Sequence, residues 1–205
     1  MKKKVYLFLA NLYNSRVKEK VKNFLNYCCS LDFKKKTRTM GSVNFFHPTY
    51  IHGHKYIIVN GNIQSLPGLR IECIDYYHGQ TFKPSLTIGA GVSFNFRCHI
   101  SVVNKITIED NVMFGSNVLV TDSSHGVIDK SVFEIPVSER ELYSKGPVRI
   151  CENVWLGENV CVMPGVTIGR NSIIGAGAIV TKSIPENCLA AGNPAKVIKY
   201  LSDNQ

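Results

Sequence analysis

The sequence predicts an all-β chain for most of its length: a parallel β-helix with a helical segment before it and one long loop let into it. Three observations predict this. Apolar residues recur six apart over most of the stretch beyond residue 85, all sixteen glycines fall after residue 40, and the first 40 residues carry a dense basic charge. A six-residue period fits neither a 3.6-residue helix nor a two-sided strand, and it holds unbroken from 150 to 180. It fits a short strand and a tight turn, three times per coil.

The N-terminal segment comes first. Apolar residues at Val5, Phe8, Leu9, Leu12, Tyr13, Val17, Val21, Phe24, Leu25 and Cys28 keep the spacing of one helix face, with Lys, Arg, Glu, Asn and Ser between. One or two helices are expected between about 4 and 30, then a basic linker from Lys34 to Arg38. Eleven Lys and Arg against Glu19 and Asp32 give residues 1–40 a charge of +9, so residues 41–205 are neutral. The pI near 9.2 is therefore local, and no nucleic-acid-reading motif accompanies it. The segment reads as a cap on the following domain, or as a basic amphipathic helix on an anionic membrane surface. Met1 to Tyr13 has the charged and apolar order of a signal peptide, without a small-x-small cleavage site. No stretch reaches the roughly 20 apolar residues that span a bilayer.

The repeat follows. Ile88, Phe94 and Ile100, then Ile108, Phe114 and Val120, then Ile150, Leu156, Val162, Ile168, Ile174 and Val180 open successive hexads. Glycine often comes next (Gly89, Gly115, Gly157, Gly169, Gly175), and the fifth place is small or β-branched, as at Val92, Val112, Val118, Val154, Val160, Val166 and Ala178. A weaker series, Phe45, Ile51, Ile57, Ile63 and Leu69, precedes it. Coils stacked about 4.8 Å apart by parallel pairing would bury the opening residue, with glycine admitting the turn. Such an array hides its apolar surface only against its neighbours and needs capped ends. The expected organisation is a helical segment and linker over 1–40, a β-helix over 41–200 interrupted by a loop at 122–147, and a tail at 201–205. Seven cysteines without a C-x-x-C pair suit reduced, packed thiols and a cytoplasmic chain.

With Asn153-Val154-Trp155-Leu156-Gly157, Pro164-Gly165-Val166-Thr167-Ile168-Gly169 and Ala191-Gly192-Asn193-Pro194-Ala195-Lys196, the stretch from about 85 to 200 resembles the hexapeptide-repeat acyltransferases. These segments are similar to maltose and galactoside O-acetyltransferases. Asp122-Ser123-Ser124-His125-Gly126 and Ser144-Lys145-Gly146-Pro147-Val148 look more like the O-acetyltransferases of O-antigen, capsule and colanic-acid synthesis. The resemblance implies a left-handed winding, an exception to the right-handed crossover rule. It also implies acetyl-CoA as acyl donor, a sugar hydroxyl as acceptor, no required metal, and a homotrimer with the active site between subunits.

Thioester-to-hydroxyl transfer needs a base, an oxyanion donor and a groove for coenzyme A. Of six histidines, His125 stands where the hexad frame breaks, in a loop of 26 residues, and it matches the family's catalytic histidine. A neutral imidazole suits proton abstraction near pH 7. Asp122, three residues earlier, is a candidate orienter of that ring or simply a turn-former. Asn95 aligns with an asparagine that contacts substrate or transition state, and it could equally satisfy a turn. Seven residues on, where the sugar enzymes carry an acid, this chain has Val102. The resemblance assigns the oxyanion donor to the backbone N–H of Glu158. For coenzyme A it points to Ala176, Thr181 and Lys182 along the groove, with Lys196 and Lys199 near the phosphates; Trp155, the sole tryptophan, could equally line the coenzyme cleft or pack in the core. Acceptor contacts are expected from 70–104 and from the 122–147 loop. Other readings are N-acetylation of an amino sugar, a non-catalytic scaffold, and a zinc carbonic anhydrase; the last needs three converging histidines, and none lies near His125 in sequence.

Overall fold

The computed structural model describes residues 15–127 and 129–201. Short strands wind into a three-sided prism, each side a parallel sheet whose neighbours are successive coils. Face one stacks Arg38–Thr39, Ile57–Val59, Ser85–Ile88, Lys105–Ile108, Val148–Ile150 and Thr167–Ile168. Face two runs from Val43–Phe45 through Val92–Phe94 and Trp155–Leu156 to Cys188–Ala191, closed by the antiparallel strand Lys196–Tyr200. Face three runs from Thr49–His52 through Leu69–Cys73, His99–Val102 and Leu119–Thr121 to Ile179–Val180.

The hexad positions form the core. Ile88, Ile108, Ile150 and Ile168 are in register on face one, and Phe94, Phe114, Leu156 and Ile174 on face two. Every opening residue from Ile88 to Val180 is at most 2% exposed, and the fifth-position residues are buried with them. Of the weaker early series, Phe45, Ile57, Ile63 and Leu69 are buried and Ile51 is half-buried.

The glycines directly after the opening residue have a role other than the expected one of admitting the turn. Gly115 and Gly157 stand outside the left-handed region, and their service is close approach: a Cβ on Gly115 would lie 2.6 Å from the Glu158 nitrogen, and one on Gly157 2.7 Å from the Ala176 nitrogen. The left-handed corner three residues after the opening residue is taken by asparagine, at φ 57–58° in Asn111, Asn117, Asn153, Asn159 and Asn171, and by glycine at Gly91, Gly165 and Gly177, φ 72–78°. Asparagine visits this region more readily than most residues. Its side chains also form a ladder, with Asn153 donating to Asn171 and Asn171 to Asn187 at 3.2 and 2.7 Å.

The N-terminal end is closed by helix α1 (Ser15–Lys36). The expected helical positions 4–14 lie outside the described residues. Two expectations are corrected here. Lys34 to Lys36 form the last helical turn, and Arg38 is already in a strand, so no separate linker exists there. The face that docks is also a different one. Phe33 is buried against Phe45 with ring centres 4.8 Å apart. Asn26 Oδ1 accepts the His47 N–H at 2.8 Å, and Ser30 Oγ accepts that of Phe45 at 2.9 Å. The first coil leaves these amides without a strand partner, and satisfying them outweighs apolar periodicity in setting the helix's rotation. Val17, Val21 and Phe24 are consequently exposed, Phe24 to 64%.

Two excursions leave the prism, both at the corner between faces three and one. After Leu69–Cys73 the chain makes a hairpin, Tyr76–Tyr77 paired with Gln80–Thr81, around His78 and Gly79. Both turn residues have positive φ, 43° and 85°, as a two-residue hairpin turn favours. After Leu119–Thr121 the 122–147 arm folds back, with Ser124–His125 antiparallel to Leu142–Tyr143. The hairpin and the arm meet: the Leu142 N–H donates to Gln80 Oε1 at 2.8 Å, and Gln80 Nε2 donates to the Leu142 carbonyl at 3.5 Å.

Candidate active site

His125 sits on the arm at this corner, exposed, at the end of a groove along face three. Tyr77 is its neighbour: the Tyr77 hydroxyl is 3.4 Å from His125 Nδ1, and the rings pack edge-on with centres 5.6 Å apart. The groove floor consists of side chains that point outward from face three, among them Arg70, Glu72, His99, Ser101 and Thr121. Glu72 Oε2 accepts from Arg70 Nε at 2.7 Å and lies 2.9 Å from His99 Nε2. Burial alone would raise the Glu72 carboxyl, but its bonds to Arg70 and His99 hold it below its ordinary value.

Asp122 does not reach His125. Its side chain is completely buried, and the two carboxylate oxygens accept the backbone N–H groups of Val103 and Asn104, each at 2.9 Å. Burial pushes its carboxyl up from the usual range, partly countered by those backbone bonds. Of the two roles weighed for it, the structure therefore places Asp122 in the turn-forming one, holding the turn at Val103 where the arm departs. Val102 is wholly buried, so the position where the sugar enzymes carry an acid faces the core.

A second concavity of about 530 Å³ lies on face two. It gathers Asn95, Trp155 and Glu158 with Ser93, Met113 and Gly115. Asn95 Oδ1 accepts the Phe96 N–H at 2.8 Å, so the asparagine does satisfy a turn, and its amide nitrogen remains as a donor. Trp155 is 46% exposed and forms the wall. Glu158 occupies the corner between faces two and three. Its neighbours Gly157 and Asn159 donate their backbone N–H groups to Ile174 and Ser116, while the Glu158 N–H has no acceptor among the described residues. Ala176 stands one coil further on, where the Gly177 N–H bonds the Glu158 carbonyl at 2.7 Å.

Thr181 and Lys182 are exposed after Ile179–Val180 on face three, and Lys196 and Lys199 are exposed on the closing strand of face two. Asn95, Trp155 and Glu158 are thus brought together, and Ala176 adjoins them. His125 is not with them: it stands on the arm at the far edge of face three and lines a separate groove. Tyr77, Gln80, Arg70, Glu72 and His99 fall within the stretch 70–104 from which acceptor contacts are expected, although the sequence singled out none of them individually. Tyr77 and Gln80 fall in the break of the hexad frame before residue 85, flanking His78-Gly79, and that break was the one available signal. All seven cysteines are unbridged, and burial pushes the Cys73 and Cys98 thiols up to about 12, which keeps them protonated.

Comparison with known proteins places this geometry. Residues 147–182 match the family model described as bacterial transferase hexapeptide (six repeats), and residues 105–128 match the hexapeptide repeat of succinyl-transferase. The chain is 41% identical over 123 residues to galactoside O-acetyltransferase of Escherichia coli K12, covering 60% of this chain and 58% of that one. It thus spans little more than half of that relative's length. It is 37% identical over 156 residues to the provisionally named lipopolysaccharide biosynthesis O-acetyl transferase WbbJ of the same organism, covering 74% and 76%. Among solved structures, a maltose O-acetyltransferase from Clostridium difficile 630 matches with a TM-score of 0.60 at 29% identity, over 90% of this chain and 84% of that one. A galactoside acetyltransferase in complex with coenzyme A matches at 0.54 and 32%, over 83% and 68%. A left-handed β-helix built on hexads is the fold that these matches share with the present chain, and the chain belongs to the hexapeptide-repeat acetyltransferase family.

Proposed function

We propose that this chain transfers an acetyl group from acetyl-CoA to a hydroxyl of a sugar in a surface-polysaccharide precursor. The observation that carries the reading is the unpaired Glu158 N–H at the edge of a cavity shared with Asn95 and Trp155. His125 takes the sugar hydroxyl proton as that oxygen attacks the thioester carbonyl. The tetrahedral oxyanion accepts from the Glu158 N–H, a contact worth roughly 2.7–4 kcal/mol in a preorganised site. The C–S bond then breaks, and the imidazolium returns its proton to the coenzyme thiolate.

Because His125 and Glu158 occupy opposite edges of one face, the complete site takes His125 from one copy and the cavity from its neighbour in a homotrimer. Relatives named for galactoside and lipopolysaccharide O-acetylation support a sugar acceptor, and the coenzyme complex of the galactoside enzyme supports the donor. Lys182, Lys196 and Lys199 then serve the coenzyme phosphates, with Ala176 and Thr181 along its arm. Calorimetric titration with coenzyme A tests this reading. The full chain binds, and Lys196→Ala and Lys199→Ala each weaken binding about 5-fold, the worth of roughly 1 kcal/mol for an exposed charge contact. A full chain that ignores coenzyme A returns the β-helix to a scaffold role. Mass spectrometry of host glycans with and without the protein identifies the acceptor.

The same proposal places α1 on an anionic membrane surface at the inner face of the membrane. Val17, Val21, Phe24 and Tyr27 are exposed there among Lys18, Lys20 and Lys22. No helix among the described residues is long and apolar enough to cross a membrane. Each lysine near such a surface contributes about 1 kcal/mol, screened by salt. Full-length protein is expected to sediment with vesicles containing phosphatidylserine at low salt and to be released at high salt. The Lys20→Glu/Lys22→Glu variant should stay in solution. Absence of binding at low salt leaves α1 as a cap alone.

A further inference from the structure

We infer that Tyr77, on the hairpin before the third coil, is the positioning residue that fixes the tautomer of His125. The inference rests on the reading of His125 as the base and deepens it. A histidine that takes a proton through Nε2 must carry its own proton on Nδ1, so something has to favour that tautomer. In water a free imidazole prefers the opposite one. The buried carboxylate nearest in sequence, Asp122, is committed to the Val103 and Asn104 amides. The Tyr77 hydroxyl is the one side-chain group hydrogen-bonded to the His125 ring among the described residues, at Nδ1. The contact admits either direction; in the arrangement inferred here Nδ1–H donates to the phenolic oxygen, which leaves Nε2 with its lone pair.

The surrounding construction serves this contact. The 76–81 hairpin and the 122–147 arm are separate insertions, two coils apart, that emerge at the same corner of the prism. Gln80 ties them together by bonding both the N–H and the carbonyl of Leu142, and Leu142 is the residue paired with His125 across the arm's own ladder. Leu142 is buried beneath this junction. The edge-on packing of Tyr77 against His125 limits rotation of the imidazole, while the exposed ring stays open to an acceptor. A regular hexad solenoid has no place for such a tyrosine; the break in the frame supplies it.

The test is a long-range nitrogen–proton correlation spectrum of the labelled full chain, with His125→Ala used to assign the ring. The wild-type protein should show His125 mainly as the Nδ1–H tautomer, and Tyr77→Phe should shift it toward Nε2–H. In parallel, Tyr77→Phe should lower kcat about 10-fold, as expected for a misoriented catalytic group, with KM for acetyl-CoA unchanged. Tyr76→Phe, on the same hairpin but 66% exposed and away from the ring, should leave both readouts as in the wild type. A wild-type tautomer in Tyr77→Phe, or an equal effect of Tyr76→Phe, overturns the inference. Either result can occur while His125→Ala still abolishes transfer, whereas an active His125→Ala variant defeats the functional reading itself.

Discussion

Replacing His125 with alanine is expected to lower acetyl transfer by 100-fold or more while the proposed trimer and coenzyme binding persist. The magnitude follows from removing a positioned general base, whose contribution is roughly 10²–10⁴. The structure makes the experiment clean: His125 is exposed on an arm outside the packed prism, so truncating it leaves no cavity in the core. Residual turnover would come from the coenzyme groove and the Glu158 N–H, which the substitution leaves in place. Steady-state kinetics with saturating acetyl-CoA reads the outcome. The informative control is His99→Ala, because His99 lies in the same groove, 2.9 Å from the Glu72 carboxylate. Near-wild-type turnover in His125→Ala together with loss in His99→Ala would move the base to the Glu72–His99 pair.

The largest stability effect is expected at Phe94. It is 2% exposed, its ring centre is 4.6 Å from that of Phe114 in the next coil, and it lies beneath the cavity beside Asn95. Phe94→Ala should cost about 3–5 kcal/mol in denaturant unfolding, the sum of lost transfer energy and an uncollapsed cavity. The rigid hydrogen-bonded coils on either side prevent the prism from closing over the gap, which places the expected value toward the upper end. Phe94→Leu, which keeps most of the volume, should cost much less. A loss below 1 kcal/mol for the alanine variant would mean that the rings are not close-packed across these coils.

Several candidate site residues were singled out because chemistry and pattern coincided. His125 marks the place where the hexad frame fails, and Glu158 occupies a defined position after Trp155 in an unbroken run. Asp122 shows where such reading stops. A carboxylate three residues from a histidine looks like its orienter, but the alternation of strand and corner turns one outward and the other inward. Its partners, the Val103 and Asn104 amides, are 19 and 18 residues away in sequence and one coil apart in space. Tyr77 is 48 residues from His125, and only the shared corner of two insertions brings them together.

The sequence by itself determined the stacked coils, their core and the break that carries the arm, because a six-residue period leaves a strand-and-corner polymer one way to bury its apolar residues. It could not set the rotation of α1. Apolar periodicity favoured the Val17, Val21 and Phe24 face, while the unpaired Phe45 and His47 amides of the first coil drew in Asn26, Ser30 and Phe33 instead. Nor could it pair the hairpin with the arm. Solenoid geometry brings residues a full coil or more apart in sequence onto one edge, so the surroundings of His125 were decided by the winding of the chain rather than by its neighbours along it.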